Sequence, residues 1–579
     1  MTSADNFFQI LEHLVEFRIK HLPEKLGDTL PDIPLEGKLE QETLDKLKEF
    51  GIEDVGGTLE LLFNLLGMMS AFIGEDISDS HFIGQRFAQD KLKVQIQKFK
   101  FQDFIFLQAV GHHNLSDIVK RFRVRRKKDG LDTGVKLVFA DIDNRRVLFR
   151  EGMGCTVTFR KRDRKKLRAQ PDMSAYAPSY KTCKNGDLKL GSVVDHSVVD
   201  EDQLDAAIRG VFEKDGDTER GTKAVLIVHK GKLIREVYNN SETPAKYNLP
   251  EVRDDVHANT PLIGWSMTKS VNQSMMGAMI QQGMFGDYEK FYRLQKKRRI
   301  SDGAIMEEFM KSLSPREYLP FLSNPRKSGF RDLNMNDLLH MASGLVWAED
   351  ELPFDVFQMV YRERDMARYA ATKGIATPPS SKWSYSSGTA NILAGVNQAC
   401  FTKQNKTLKD YWTFPHESIF KPIGMCNATF QADIEGTLVG SSYCLSTARD
   451  WARFGLLYMN DGVVLETDQR ILPKGWTDYT AMKALSDSGK DISGGIYGAQ
   501  FWLNQAAKKD LDDHNRDTGY EGVPNDMYYP RGLFGQRVFI IPCMDLVVVR
   551  MGSRDKIGLK LFINQVVKAF KNKSNCQLD

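Results

Sequence analysis

The sequence predicts an α+β fold: an antiparallel sheet flanked by helices and joined to a helical region, with an extra segment at the N-terminus. Two pairs of apolar, β-rich runs carry this expectation. Ala224–Val228 and Leu233–Tyr238 flank His229-Lys230-Gly231-Lys232, and far downstream Arg537–Ile541 and Leu546–Arg550 flank Pro542-Cys543-Met544-Asp545. Short β-branched runs around turn residues read as hairpins. With helical patterns between the pairs, they imply one antiparallel sheet whose edges come from opposite ends of the chain.

In chain order, residues 1–140 read as an N-terminal extension that matches no recognised pattern. Within it, Leu59–Ile73 is a run of 15 with Glu60 as its only charge. About 20 apolar residues are needed to span a bilayer, so this reads as a buried or amphipathic helix, with an interfacial anchor as the alternative. Two basic clusters, 120–128 and 160–166, read as solvated faces, with peripheral membrane contact or nucleic acid as the less expected uses. Between them Val135–Ala140 and Arg146–Phe149 read as a hairpin around Asp141-Ile142-Asp143-Asn144. The main domain is expected over residues 141–575, with a helix over Leu204–Glu213 and a closing helix over Leu559–Phe570.

Composition removes several function classes. The 579 residues are 41% hydrophobic and 27% charged, which supports a large core and argues against disorder. A net charge of +4 is too balanced for a chain built mainly to hold nucleic acid. Seven cysteines without a CxxC pair show no zinc or redox motif, and so odd and sparse a set argues against a disulfide framework and suits a reducing compartment. Asp5, Glu12 and Glu16 precede any apolar run, so no secretory or mitochondrial leader is read there, and the expected location is cytoplasmic.

Three stretches carry chemistry. The first is Trp265-Ser266-Met267-Thr268-Lys269, opening a helical stretch. Residues three apart on a helix share a face, and a serine hydroxyl becomes a useful nucleophile when a neighbour takes its proton. Ser-x-x-Lys also occurs at Ser418/Lys421 and Ser553/Lys556, so the spacing alone is weak. The second is Lys382-Trp383-Ser384-Tyr385-Ser386-Ser387-Gly388, a turn before a helix that can aim a phenol into a cleft. The third is Pro530-Arg531-Gly532-Leu533-Phe534-Gly535-Gln536, where glycines admit close backbone approach and a strand N–H can serve an oxyanion hole.

The order of Ser-x-x-Lys, then His340-Met341-Ala342-Ser343-Gly344-Leu345, then Tyr-Ser-Ser-Gly resembles the serine β-lactamase-related hydrolases. Ser446–Gly455, Ile471-Leu472-Pro473, Gly498–Trp502 and Gly535-Gln536 extend the likeness, and Glu151–Thr156 is similar to the lead-in of the 6-aminohexanoate-dimer hydrolases. The resemblance covers about residues 145–570 and implies a β-lactamase/transpeptidase-like fold. It also implies a metal-free and cofactor-free serine hydrolase, acting on a small ester or amide. Ser266 would be the acylated nucleophile, with Lys269 and Tyr385 sharing the acid/base work. Ser387 would touch substrate or Lys269, and the N–H groups of Ser266 and Leu533 would form the oxyanion hole, with Gly532 and Arg531 beside it.

One departure bears on substrate. Where lactam-handling relatives carry Lys-Thr-Gly, this chain has Pro530-Arg531-Gly532. Proline offers neither charge nor N–H, although Arg531 can still meet an acid group. The resemblance therefore points to an esterase or amidase of the 6-aminohexanoate-dimer hydrolase and family VIII esterase branch. Residues 286–334 read as an insertion over the cleft. Trp347, Trp383, Tyr497 and Trp502 read either as a pocket wall or as core, and His340 as packing beneath the site. The competing function is a catalytically weak scaffold or filament former on the same fold, with oligomeric state left open.

Overall fold

The computed structural model describes residues 135–138, 146–150, 152–158, 160–178, 198–212, 214–215, 218–219, 221–240, 256–323, 329–349, 355–505, 519–552, 558–571 and 576. Leu59–Ile73, the first basic cluster and the rest of the expected N-terminal extension before Val135 lie outside them. So do Ser553 and Lys556.

A first small sheet holds β1 (Val135–Val138), β2 (Arg146–Arg150) and β3 (Gly154–Thr158), antiparallel in that order. The expected hairpin thus gains a third strand. Thr156 Oγ1 donates to the Ala432 carbonyl at 3.0 Å and the Arg150 guanidinium stacks over Trp412 at 5.2 Å, so β2 and β3 are tied to the body. The second basic cluster lies in and beside α1 (Lys161–Arg168). Its Asp163 is buried against Arg364 at 3.0 Å and its Lys166 pairs with Glu435, so the helix docks through ion pairs of both signs.

The main sheet follows α2 (Glu201–Phe212) and a short ribbon, β4 (Lys214–Asp215) with β5 (Thr218–Glu219). Its strands are β6 (Thr222–His229), β7 (Lys232–Tyr238), β11 (Trp502–Leu503), β12 (Tyr528–Tyr529), β14 (Gln536–Ile541) and β15 (Leu546–Gly552). Their spatial order is β11-β12-β14-β15-β6-β7, with β13 (Arg531–Gly532) beside β14. The two sequence hairpins meet at the β15–β6 seam, where Val547 faces Val228 and Val549 faces Leu226. At the tip of β6–β7, Lys230 and Gly231 both take positive φ, the condition for a tight two-residue hairpin turn.

Period-two alternation sends each strand to two cores. Leu226, Val228, Val538, Ile540, Val547 and Val549 join the larger core. Val225, Ile227, Phe539, Ile541, Leu546 and Val548 join the second. Both faces are covered, which is why these strands read as continuous apolar runs. The closing helix α13 (Leu559–Ala569) packs with α2 on the second face, and an isolated bridge from Val199 to Phe570 ties them. On the other face lies α11 (Ala448–Met459), against β6, β14 and β15.

The helical region contains α3 (Thr268–Gln281), α4 (Tyr288–Gln295), α5 (Asp302–Lys311), α6 (Met335–Leu339), α7 (Asp355–Arg362), α8 (Met366–Thr372), α9 (Ser387–Lys403), α10 (Leu408–Pro415) and α12 (Trp476–Thr480). A second small sheet, β8 (Leu262–Ile263), β10 (Cys444–Ser446) and β9 (Thr429–Phe430), braces the entry to α3. Within 286–334, α5 packs against α12 and α6. Its Ile305, Met306, Phe309 and Met310 belong to the main core.

The cysteine expectation is corrected. Cys543, in the β14–β15 turn, is disulfide-bonded to Cys576 across 33 residues, and Cys426 is disulfide-bonded too. Cys400 and Cys444 are buried free thiols. The pairing was invisible because the Pro542 turn and the chain end meet only once α13 has packed. Such bonds persist in oxidising surroundings, which runs against the reducing compartment first inferred. Among the described residues no helix is long and apolar enough to cross a membrane.

Candidate active site

Ser266 lies in a 3₁₀ turn, Trp265–Met267, between β8 and α3, rather than in the α-helix proper. Trp265 holds φ +47, a conformation that costs a non-glycine residue about 1–3 kcal/mol and persists only when its surroundings impose it. Those surroundings are visible: the Trp265 indole packs edge-on to Phe534 at 6.1 Å and tilted against Tyr443 at 6.3 Å. Gly264 lies so close to Trp451 that a Cβ there would fall 2.4 Å from the indole. The strained turn lifts Ser266 to the cleft, where it is half-buried.

Lys269 sits in the first turn of α3 and is 1% exposed. Its Nζ donates to Ser266 Oγ at 2.9 Å, to Ser387 Oγ at 3.0 Å and to the Ser441 carbonyl at 3.2 Å. It also lies over the face of the Tyr385 ring, 4.7 Å from its centroid. The three expected residues therefore come together around the Lys269 nitrogen. Lys269 meets Tyr385 through the ring face, however, and the Tyr385 hydroxyl makes no hydrogen bond among the described residues. The decoy Lys421 is exposed and paired with Glu417 at 3.2 Å.

Ser386 caps α9 by accepting from the Thr389 N–H at 3.0 Å, which sets Ser387 at the helix start, facing Lys269. An aromatic wall holds Tyr385: Trp502 at 5.4 Å and Tyr497 at 5.9 Å, with Trp383 behind at 5.6 Å from Tyr497. Tyr497 and Trp502 are buried and Trp383 is half-buried against the second core, which fits the core reading of these three aromatics. Burial pushes the Tyr497 phenol well above its usual range, with Tyr385 and Glu349 adding to the shift, so Tyr497 stays neutral. Trp347 belongs to a different wall, edge-on to Tyr369 at 6.3 Å.

The third stretch reaches the nucleophile turn directly. Gly532 is extended (φ −126, ψ 156), and a Cβ there would lie 2.1 Å from the Gly264 carbonyl oxygen. Only glycine lets β13 close on the Ser266 turn. Leu533 follows, 38% exposed, and Phe534 is held at φ +61. Three buried side chains fix the carbonyls of this bend: Arg537 to Gly532 at 3.1 Å, Gln536 to Leu533 at 3.1 Å, and Arg550 to Phe534 at 2.7 Å. Arg531 stacks on Trp502 at 4.6 Å.

His340 ends α6 and packs edge-on to Tyr479 at 5.0 Å. Burial pushes its imidazole down to about 4, so it is neutral and structural. Arg449 and Asp450 are structural as well, but they do not pair with each other. Asp450 closes a capping box with Thr447, while Arg449 grips Glu236 of β7 at 2.7 and 2.8 Å.

One residue of the cluster was missed: Glu349, half-buried beside Ser387. It accepts from the Ser387 hydroxyl and, at 2.8 Å, from the Ser387 N–H. Its position four residues after Leu345 was the available signal, in a loop whose path no periodicity reveals.

A buried lysine thus bridges two serines beneath a tyrosine, and β13 packs closely against the turn that carries Ser266. A model of the beta-lactamase family matches residues 204–561, more than half of the chain, and the chain belongs to that family. No curated protein matches it. Among solved structures, a Bacillus anthracis protein provisionally described as a 6-aminohexanoate-dimer hydrolase is 20% identical, with 60% of this chain and 79% of that one covered and a TM-score of 0.42. EstCE1, a hydrolase with promiscuous acyltransferase activity, is 13% identical over 64% and 98% of the chains, TM-score 0.45. A family VIII carboxylesterase is 13% identical over 64% and 97%, TM-score 0.44. The family assignment rests on the matched model rather than on these distant likenesses.

Proposed function

We propose that this member of the beta-lactamase family is a serine hydrolase that cleaves a small ester or amide through an acyl-enzyme on Ser266. The observation that carries the reading is the 2.9 Å contact of the buried Lys269 Nζ with Ser266 Oγ, made while the same nitrogen lies over Tyr385. As Ser266 Oγ bonds to the substrate carbonyl carbon, its proton passes to the Lys269/Tyr385 pair, and the oxyanion is held by the N–H groups of Ser266 and Leu533. Collapse expels an alcohol or amine, which leaves with the proton that the pair returns. Water then attacks the acyl carbon, giving up a proton to the same pair, and Ser266 is released with the carboxylic acid.

The substrate preference follows from β13. Without a lysine and a hydroxyl at 530 and 531, efficient lactam hydrolysis is not expected. Arg531 and the Tyr385 wall suit an apolar acyl group, with or without an acid end. A panel of p-nitrophenyl esters, anilides and nitrocefin tests this: turnover of the first or second with none of the third is the expected result. Nitrocefin turnover at rates matching the esters would overturn it. Absence of turnover on every member, from folded protein, would favour the scaffold reading.

Tyr385→Phe removes only the hydroxyl. It is expected to lower kcat by about 10²–10⁴, the usual worth of a positioned acid/base. Melting temperature should hold, because the ring keeps its contacts with Trp502 and Tyr497. Steady-state kinetics on the preferred ester, with a melting curve, check both halves.

A further inference from the structure

We propose that Glu349 is a positioning residue of the active site, fixing the direction of the Ser387 hydroxyl and balancing the charge on Lys269 when that lysine carries the Ser266 proton. The inference rests on the acyl-enzyme reading above. A serine hydroxyl has one hydrogen to give. Ser387 gives it to Glu349 Oε1, so its lone pairs face Lys269 Nζ, from which it accepts at 3.0 Å. Lys269 thus donates to both serines, and from its nitrogen through Ser387 to Glu349 the hydrogen bonds run in one sense.

The carboxylate is held in place from several sides. Oε2 accepts from the Ser387 N–H at 2.8 Å and from the Trp347 indole Nε1. It sits at the N-terminus of α9, a 17-residue helix whose dipole favours an anion there. The Trp347 indole fits against α9 because residue 388 is glycine: a Cβ there would lie 2.6 Å from the ring. The loop itself is pinned by Asp355, which accepts from the Ala348 N–H at 3.0 Å and pairs with Lys373. The titratable groups around this carboxylate are Lys269, reached through Ser387, the Asp355–Lys373 pair behind the loop, and Tyr497, on whose phenol Glu349 acts electrostatically.

The test compares wild type, Glu349→Gln, Glu349→Asp, Ser387→Ala and the Glu349→Gln/Ser387→Ala double variant on whichever ester the wild type turns over. Glu349→Gln should lose about 10²-fold, mainly in kcat. The acidic limb of kcat/KM against pH should move to lower pH, because an anion favouring the proton-loaded lysine is gone. Glu349→Asp should recover part of the rate. In the double variant the two losses should not add, since Glu349 acts through Ser387. Wild-type rates and an unmoved pH limb in Glu349→Gln would overturn the proposal, as would additive losses in the double variant. Should Glu349→Gln melt early, Glu349→Asp, which keeps the anion but draws it back by one methylene, is expected to give the same pH shift in milder form. An unmoved limb there would overturn the proposal instead. If the wild type neither turns over nor labels at Ser266, the acyl-enzyme reading fails, which is distinguishable from failure of Glu349 alone.

Discussion

Ser266→Ala is expected to reduce ester turnover by roughly 10⁴–10⁶-fold, down to whatever binding and oxyanion contacts alone supply. The residual is small because neither serine beside Lys269 offers its hydroxyl in place of the lost one. Ser387 Oγ is committed to Glu349 and Lys269, and Ser441 meets Lys269 through its carbonyl. Stability should change by less than about 1 kcal/mol. The side chain removed is half exposed, and Lys269 keeps its bonds to Ser387 and Ser441. Single-turnover kinetics with a chromogenic ester, set beside a melting curve, separate loss of the nucleophile from loss of the fold.

Gly532→Ala carries the second largest effect, and it acts through backbone. A methyl at 532 would have to share space with the Gly264 carbonyl oxygen at 2.1 Å. Neither partner is a flexible side-chain end, so β13 must move away from the Trp265–Met267 turn. That separates the Leu533 N–H from the Ser266 N–H, and on the proposed mechanism loss of one oxyanion donor costs about 10²–10³ in kcat. The strain of such a small-to-large change is about 1–3 kcal/mol, tolerable in a strand anchored by Arg537 and Gln536. Kinetics should therefore show kcat falling further than melting accounts for, with KM little changed. Unaltered kcat in a folded Gly532→Ala protein would mean that β13 does not serve the oxyanion.

Four strands of the main sheet, β6, β7, β14 and β15, were legible because they are apolar runs closed by turn residues and each pair is local in sequence. The two-residue strands β11, β12 and β13 are too short to leave a pattern. The seam that joins Val547 to Val228 follows from topology once both pairs are assigned to one sheet. The Ser266/Lys269/Tyr385 constellation was legible for a different reason: each member sits in a short, ordered motif, and Ser387 and Gly532 came with the same motifs. What sequence could not reach was contact between segments without a motif. Glu349 follows Trp347 in an aperiodic loop, and its bond to Ser387 spans 38 residues. The face-on approach of Lys269 to Tyr385, instead of a hydrogen bond, depends on how Trp502 and Tyr497 tilt the ring. The Cys543–Cys576 bond escaped because cysteine counting carries no information about which chain ends meet.

The most direct test of the central claim is intact-mass and peptide-level mass spectrometry after brief exposure of wild type and Ser266→Ala to a fluorophosphonate. The account predicts one adduct on the wild type, mapped to Ser266, and none on the variant. An adduct that survives Ser266→Ala, or a folded wild-type protein that takes up no probe, would contradict it.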